Sequence, residues 1–215
     1  SAASDVYKRQ ACLQLGSPLT PQFTDARGHW AEPAMRYLEQ LRLEDGSPYV
    51  QGYFDPSLQA RYFKPDQPIT RYAVLKMAMQ AHCTPLLKPG APLPGNFRDL
   101  AVGKQLGNDL KARILYSAAR LSIIKGFPDG TVRPDAPLTR AEALKILILS
   151  ASLTPLDRVP KQLFFDVPLS AWFAPYVERA AYDGIISRNG TAFRPNDPIT
   201  RAEFATMIER RLVNN

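Results

Sequence analysis

Three arginines stand at equivalent places in a repeated stretch of the sequence and could bind an anion. Arg140 lies in Pro-Leu-Thr-Arg-Ala-Glu, Arg201 in Pro-Ile-Thr-Arg-Ala-Glu, and Arg71 in the weaker copy Pro-Ile-Thr-Arg-Tyr-Ala. Each copy predicts the start of a helix, with the threonine as its N-cap. A guanidinium group beside free helix N–H groups suits a carboxylate or a phosphate.

The same arginines also have a purely structural explanation. The dipole at a helix start favours anions rather than cations, so each arginine needs a negative partner there. That partner is either an external anion or a carboxylate in the preceding turn, such as Asp135 or Asp197. Local chemistry favours the ion pair, whereas the recurrence of the arginine in three copies favours the ligand. The sequence leaves both alternatives open.

Two of the three helices begin with a capping box. Glu142 follows Thr139 by three residues, and Glu203 follows Thr200 in the same way. In such a pair each side chain accepts a hydrogen bond from the backbone N–H of the other residue. Ala73 stands at the glutamate position of the first copy, so half of the box is lost there.

The chain of 215 residues is a threefold repeat of helix, turn and helix. A Phe-x-Asp sequence opens each repeat, and apolar periodicity predicts a helix after each opening. We divide the chain into a non-native or disordered leader (1–21), repeat 1 (22–82), a Pro/Gly linker (83–96), repeat 2 (97–151), a second linker (152–162) and repeat 3 (163–214). The predicted fold class is all-α.

The composition and the ends of the chain limit the classes of function that we expect. Asp5 to Gln10 can be encoded by a common sequencing-adapter end, so we expect residues 1–10 to be an artefact. The net charge of +7 favours an anionic partner. The sequence has no apolar run of transmembrane length, no set of metal ligands and no nucleophile–base pair. We therefore expect no enzyme activity, no metal, no cofactor and no transmembrane segment.

The order of these motifs resembles the S-layer homology (SLH) domain. The clearest copy runs from Ile123 to Glu142, through Gly-Phe-Pro-Asp-Gly-Thr and then Thr-Arg-Ala-Glu. Three such motifs in tandem extend over residues 22–214. The resemblance implies one module with pseudo-threefold symmetry, in which the helices that begin at Thr-Arg-Ala-Glu form a central three-helix bundle.

The resemblance also implies a function at the bacterial cell surface. Such modules bind a secondary cell-wall polysaccharide or a peptidoglycan-linked glycan, often one with a pyruvyl ketal, in grooves between repeats. They thereby anchor secreted surface proteins to the cell wall without a covalent bond, and a fused effector domain would lie outside this sequence. By this analogy the ligand-binding residues are Arg71, Arg140, Arg201, Trp30, Trp172 and Gly126. Because no repeat carries every element of the motif, we expect fewer working grooves than repeats.

The sequence also allows other functions for the chain and structural roles for the residues named above. A self-assembly module of a surface layer fits the same repeats without a glycan. Nucleic-acid binding is disfavoured, because the helices at Thr139 and Thr200 are apolar and carry few basic residues. Core packing at a helix start is favoured over sugar stacking for Trp30 and Trp172. The aspartates of the Phe-x-Asp sequences are expected to cap the following turn or helix.

Overall fold

The computed structural model describes residues 12–100, 105–156, 162–188 and 190–214. Within these ranges the α-helices are α1 (Glu32–Gln40), α2 (Arg71–Ala81), α3 (Leu110–Arg120), α4 (Arg140–Ser150), α5 (Ala174–Tyr182) and α6 (Arg201–Val213). Each predicted repeat contains two of these helices. Within the described ranges, no helix combines the length and the apolar character that a membrane crossing requires.

The second helix of each repeat starts with the predicted capping chemistry. The hydroxyl of Thr139 accepts the N–H of Glu142, whose carboxylate accepts the N–H of Thr139 at 3.0 Å. Thr200 and Glu203 form the same reciprocal pair. Thr70 caps α2 from one side only, because no carboxylate stands three residues later. The two full boxes and the half box are therefore confirmed.

Contacts between the repeats are long-range: the second helices pack on one another, α2 on α4 and on α6, and the first helices pack on the second helices of other repeats. The first helix of each repeat packs on the second helix of the preceding repeat: α3 on α2, α5 on α4, and α1 on α6. The segments that lead into the second helices form a closed ring, in which Ile69 donates to Ile199, Ile199 to Leu138, and Leu138 to Ile69. A pseudo-threefold arrangement around a central bundle requires such contacts, and that symmetry stays a prediction.

The core lies along the second helices. Leu144, Leu147 and Ile148 of α4 are fully buried, and most other residues of that helix are buried as well. A helix that is apolar on nearly all sides must be covered on nearly all sides, as its composition predicts. Because the second helices are enclosed, the arginines at their first residues are held at fixed positions.

Short strands add two antiparallel ribbons to the predicted helices. β1 (Leu13–Leu15) pairs with β2 (Leu41–Leu43), and β3 (Tyr53–Asp55) pairs with β4 (Ala60–Tyr62). The second ribbon lies in the long loop between α1 and α2 of repeat 1, a stretch rich in Gly, Pro and Tyr. Strand pairs of three residues carry too little periodicity to be recognised in a sequence.

The N-terminal segment is joined to repeat 1. Cys12 forms a disulfide with Cys83, and strand β1 pairs with the strand that follows α1. This corrects the predicted leader, since its described part packs with the repeat instead of being disordered. Both contacts connect distant parts of the sequence, so no local pattern indicates them. Residues 1–10, predicted to be an artefact, lie outside the described residues, and the other predicted boundaries stay predictions.

Candidate functional site

Each repeat contains a turn whose shape is fixed by its Phe-x-Asp aspartate. The carboxylate accepts two successive backbone N–H groups: Asp25 those of Phe63 and Lys64, Asp99 those of Val132 and Arg133, and Asp166 those of Phe193 and Arg194. The second residue of each pair has a left-handed backbone, with φ of 59°, 50° and 60°. Two charge-assisted hydrogen bonds stabilise this uncommon conformation. The aspartates therefore hold a turn 27 to 39 residues further on, not the following one as expected.

The N–H groups at the helix starts are not free for a ligand. Arg71 donates its N–H to the carbonyl of Ala136, Arg140 to that of Asp197, and Arg201 to that of Gln67. In each case the acceptor lies in the turn of another repeat. This corrects the sequence-based picture of an anion held by free helix N–H groups. Any anion recognition must therefore come from the guanidinium groups.

The Arg140 site consists of Arg140, Glu203, Phe193, Arg194 and Trp30. Nη1 of Arg140 lies 3.0 Å from the carboxylate of Glu203, and Nε donates to the carbonyl of Phe193 at 2.9 Å. Arg194 donates to the same carboxylate. Burial lowers the pKa of Arg140, and the charge of Glu203 offsets part of this effect. This arginine already has an anion inside the protein.

The Arg71 site consists of Arg71, Glu142, Phe127 and Arg133. Nη2 of Arg71 lies 3.9 Å from the Glu142 carboxylate, and its guanidinium lies 5.1 Å from the centroid of the Phe127 ring. Arg71 is 8% exposed, and its Nε has no hydrogen-bond partner among the described residues. Burial lowers the pKa of Arg71, and Glu142 offsets part of this effect. The Glu142 carboxylate is thus present at this site, but it lies farther from Arg71 than Glu203 lies from Arg140.

The Arg201 site consists of Arg201, Tyr53, Phe63, Lys64 and Ala73. Nε of Arg201 donates to the carbonyl of Phe63 at 2.8 Å, and its guanidinium lies over the rings of Phe63 and Tyr53. Burial lowers the pKa of Arg201, and its interactions with Tyr53 and Asp25 offset part of this effect. Among the described residues no carboxylate lies within ion-pair distance of Arg201. Ala73 stands where the other repeats supply Glu142 and Glu203.

Lys64, the second cation of the Arg201 site, also lacks an ion pair within the described residues. The equivalent residues in the other turns are paired, Arg133 with Asp129 at 2.8 Å and Arg194 with Glu203. Lys64 lies with its Nζ 4.0 Å from the centroid of the Tyr53 ring, and it forms no salt bridge within the described ranges. The Arg201 site therefore contains two cations without the direct carboxylate contacts that the other sites have.

A cavity of about 770 Å³ lies beside the Arg201 site. Tyr53, Lys64 and Gln67 line it, and Arg201 contacts it through the Tyr53 ring and the Gln67 carbonyl. The Arg140 site has a smaller cavity of about 240 Å³. The larger volume lies within the range typical of small-molecule sites.

The predicted tryptophans are surface residues. Trp30 and Trp172 are 61% and 53% exposed, so the preference for core packing is wrong. Trp30 lines the smaller cavity together with Arg140, so the structure brings these two predicted residues together. Trp172 lies next to Lys145 of α4, whose Nζ is 5.4 Å from the centroid of the indole ring. A position at a helix start predicts contact with a neighbouring helix but not the depth of burial.

Gly126 has a packing role. A Cβ atom at this position would lie 2.8 Å from the ring of Phe97, too close for a side chain. Gly52 meets the same restriction against Phe23 in repeat 1. The glycine thus allows the turn to pack on the repeat-opening phenylalanine, and a direct role in ligand binding stays a prediction.

The partners of the arginines differ from those expected. Asp135 pairs with Lys111, and Asp197 meets Arg140 through its backbone carbonyl. The carboxylates that pair with Arg71 and Arg140 are instead the capping glutamates of the next repeat. Tyr53 and Lys64 were not among the predicted site residues. Before each second helix the sequence repeats an aromatic or β-branched residue, a basic residue and a proline, and this recurrence is the signal that could indicate Lys64.

Comparison with known proteins agrees with the motif pattern. The sequence profile of the S-layer homology domain matches residues 112–144 and 164–205. These matches support an SLH domain in this chain. They fall in repeats 2 and 3, so the third tandem motif, in repeat 1, stays a prediction.

Similar proteins include surface proteins and enzymes. The chain is 31% identical over 107 residues to an amylopullulanase of Thermoanaerobacterium thermosulfurigenes (48% of this chain, 6% of that protein). It is 32% identical over 85 residues to the S-layer protein sap of Bacillus anthracis (40% and 10%). It is 26% identical over 145 residues to a cellulosome-anchoring protein of Acetivibrio thermocellus (67% and 28%). The chain thus spans a small part of these relatives.

The comparisons also bear on location and activity. SLH sequence and S-layer relatives indicate the bacterial cell surface or wall. The SLH domain is a non-catalytic anchoring module, and the enzymes among the relatives are matched over a small part of their length. Support for cell-surface anchoring therefore comes from two matched segments of this chain.

Proposed function

We propose that this chain anchors a surface protein to the bacterial cell envelope by binding an anionic wall polysaccharide, and that Arg201 receives the acid group of that polymer. One observation carries the proposal. Of three arginines in equivalent positions, Arg71 and Arg140 face a capping glutamate, whereas Arg201 faces no carboxylate at ion-pair distance. A partly buried guanidinium without such a partner gains most from an external anion.

The chemistry of a pyruvyl ketal suits the Arg201 site. A ketal of this kind carries one carboxylate close to the sugar ring. A guanidinium group binds a carboxylate through two parallel hydrogen bonds, a geometry that lysine does not provide. Because Nε of Arg201 is engaged with the Phe63 carbonyl, the two Nη groups remain as the donors for this carboxylate. Lys64, which contacts the same Tyr53 ring as Arg201, adds a second positive charge.

Two further features support a role outside the cell. Disulfides form and persist in oxidising environments, and Cys12 and Cys83 form one. The positive net charge attracts an acidic polymer over a distance that depends on ionic strength. We therefore expect wall binding to weaken as salt is added, without complete loss, because a hydrogen-bonded carboxylate is screened less than surface charges are.

Co-sedimentation with isolated wall sacculi tests the proposal. The purified protein is incubated with sacculi before and after chemical removal of the wall polymer, and the pelleted fraction is measured. We expect pelleting with intact sacculi and loss of pelleting after removal. Equal pelleting with both preparations would exclude polymer binding. Pelleting without any sacculi would indicate the alternative, a module that assembles with copies of itself.

A further inference from the structure

Ribbon β3–β4 gives the Arg201 site an aromatic wall. Tyr53 and Phe54 are each 46% exposed, although residues of this size are usually buried, and both line the 770 Å³ cavity. Tyr62, from the paired strand, lines the same cavity. Aromatic side chains in a concave surface offer flat apolar faces on which the C–H groups of a sugar ring pack.

The charges inside this cavity disfavour a second acid group. The carboxylates of Asp25, Asp55 and Asp66 line it, whereas Lys64 supplies a positive charge. Arg201 lies behind Tyr53 and Gln67 at the edge of the cavity. An anionic sugar within the cavity would therefore meet more negative than positive groups, and like charges repel at short distance.

Two of these carboxylates have an oxygen available for hydroxyl groups. Asp55 receives the N–H and hydroxyl of Ser57 and the N–H of Leu58 on a single oxygen, Oδ1. Asp66 meets His29 through Oδ1 only, at 3.2 Å. Within the described residues, Oδ2 of both side chains accepts no hydrogen bond. Sugar hydroxyls donate readily to carboxylate oxygens, and such bonds are stronger than those between neutral groups.

We propose that the cavity between ribbon β3–β4 and residues 64–67 is a subsite for a neutral sugar ring, adjacent to the acid group that Arg201 receives. The ring packs on the aromatic wall, and its hydroxyls donate to Asp55 and Asp66. This inference rests on the proposed function, because it places the neutral sugar next to the acid-bearing sugar of the same polymer. It makes ribbon β3–β4 the element that selects the sugar neighbouring the acid group.

Binding of two polymer preparations to four variants tests this subsite. The probes are wall polymer released from isolated bacterial sacculi, intact and after mild-acid removal of its ketal-linked acid groups. The variants are Phe54→Ala and Asp66→Ala in the cavity, Arg201→Ala at the anion site, and Leu58→Ala as the control. Leu58 is 65% exposed at the ribbon turn and does not line the cavity. Thermal unfolding shows whether each variant is folded.

The two preparations separate this inference from the proposed function. We expect the treated polymer to bind the wild type weakly, Phe54→Ala to lower that residual affinity about fivefold, and Arg201→Ala to leave it unchanged. Asp66→Ala, on an exposed side chain, should lower it in the same direction. If both cavity variants bind both polymers as Leu58→Ala does, the neutral subsite is excluded while anchoring through Arg201 stands. If the wild type binds neither polymer, both proposals fail.

Discussion

The Arg140 site and the Arg201 site share a plan and differ in one carboxylate. In both, Nε of the arginine donates to a phenylalanine carbonyl and the guanidinium covers that phenylalanine ring. Glu203 lies 3.0 Å from Arg140, whereas the equivalent position opposite Arg201 is Ala73. One residue of repeat 1 therefore sets the electrostatic state of an arginine in repeat 3.

The comparison shows that the capping glutamate has two roles. Glu203 accepts the N–H of Thr200 at the start of α6, and it also neutralises Arg140 of the neighbouring repeat. Replacing this glutamate by alanine weakens one helix cap and leaves one arginine without its internal anion. An enclosed helix tolerates half a cap, because most of its stability comes from packing. The exchange therefore leaves one arginine without an internal anion at a small cost in stability.

The largest effect is expected for Arg201→Ala. Removing a charge-assisted, bidentate contact to a carboxylate costs about 1.5–3 kcal/mol, or roughly tenfold to hundredfold in affinity for wall polymer. Stability should fall by about 0.5–1.5 kcal/mol, because the hydrogen bond to the Phe63 carbonyl is lost but no ion pair is. Titration calorimetry with released polymer and thermal unfolding measure the two quantities. A variant that unfolds, or that binds like the wild type, would contradict the assignment.

Local chemistry predicted the start of each site helix but not the state of its arginine. Thr139 and Glu142 are three residues apart, and their capping box follows from that spacing alone. The pairing of Arg140 with Glu203 depends instead on how repeats pack, and it joins residues that are distant in the sequence. The absent carboxylate at Ala73 was visible in the sequence as a weaker cap. Its consequence for Arg201 required the three-dimensional arrangement.

The cavity wall was less predictable than the arginines. Tyr53 and Phe54 belong to a long loop that departs from the motif of the other repeats, so the repeat pattern carries no information about it. The disulfide between Cys12 and Cys83 was hidden for a similar reason, because two cysteines far apart in sequence give no spacing signal. Features shared by the repeats could be predicted, whereas those particular to repeat 1 could not.

A second variant converts the Arg201 site into a copy of the Arg140 site. Ala73→Glu restores the carboxylate, which should pair with Arg201 and compete with the ligand. We expect about a tenfold loss of affinity for wall polymer together with a gain in stability of up to about 1 kcal/mol from the completed capping box. Ala73→Gln is the matched control, because glutamine completes the cap without adding a charge. Equal affinity losses in both variants would show that size, not charge, closes the site.

The reverse comparison uses Arg140→Ala. Arg140 is largely buried, it binds Glu203, and it donates to the Phe193 carbonyl, so its removal should destabilise the protein by about 1–2 kcal/mol. Affinity for wall polymer should change less than twofold to threefold, because the internal anion already occupies this arginine. Denaturant unfolding and polymer titration are measured on the same preparation. A large affinity loss with unchanged stability would place the ligand at the Arg140 site instead.

The smallest effect concerns two equivalent turn cations, Arg133 in repeat 2 and Lys64 in repeat 1, and their influence on a nearby aspartate. The Thr131 hydroxyl and the Arg133 guanidinium hold the pKa of Asp129 well below its ordinary range. In repeat 1 the pKa of Asp55 is lowered by Ser57 and Leu58, and Lys64 takes no part. We therefore expect Arg133→Ala to raise the pKa of Asp129, and Lys64→Ala to leave that of Asp55 unchanged. NMR titration of the carboxyl carbons measures both.

The pKa of Asp129 also sets the sign of its effect on stability. Because its folded pKa lies below the unfolded value of about 3.9, Asp129 contributes stability that is present above that pH and is lost as the pH falls through the folded pKa. Arg133→Ala should raise the folded pKa of Asp129, so that the contribution of Asp129 to stability becomes smaller and is lost at a higher pH. A shift of Asp55 in Lys64→Ala as large as that of Asp129 in Arg133→Ala would mean that Lys64 is engaged with a turn carboxylate. Lys64 would then not be available, with Arg201, to an anion from outside.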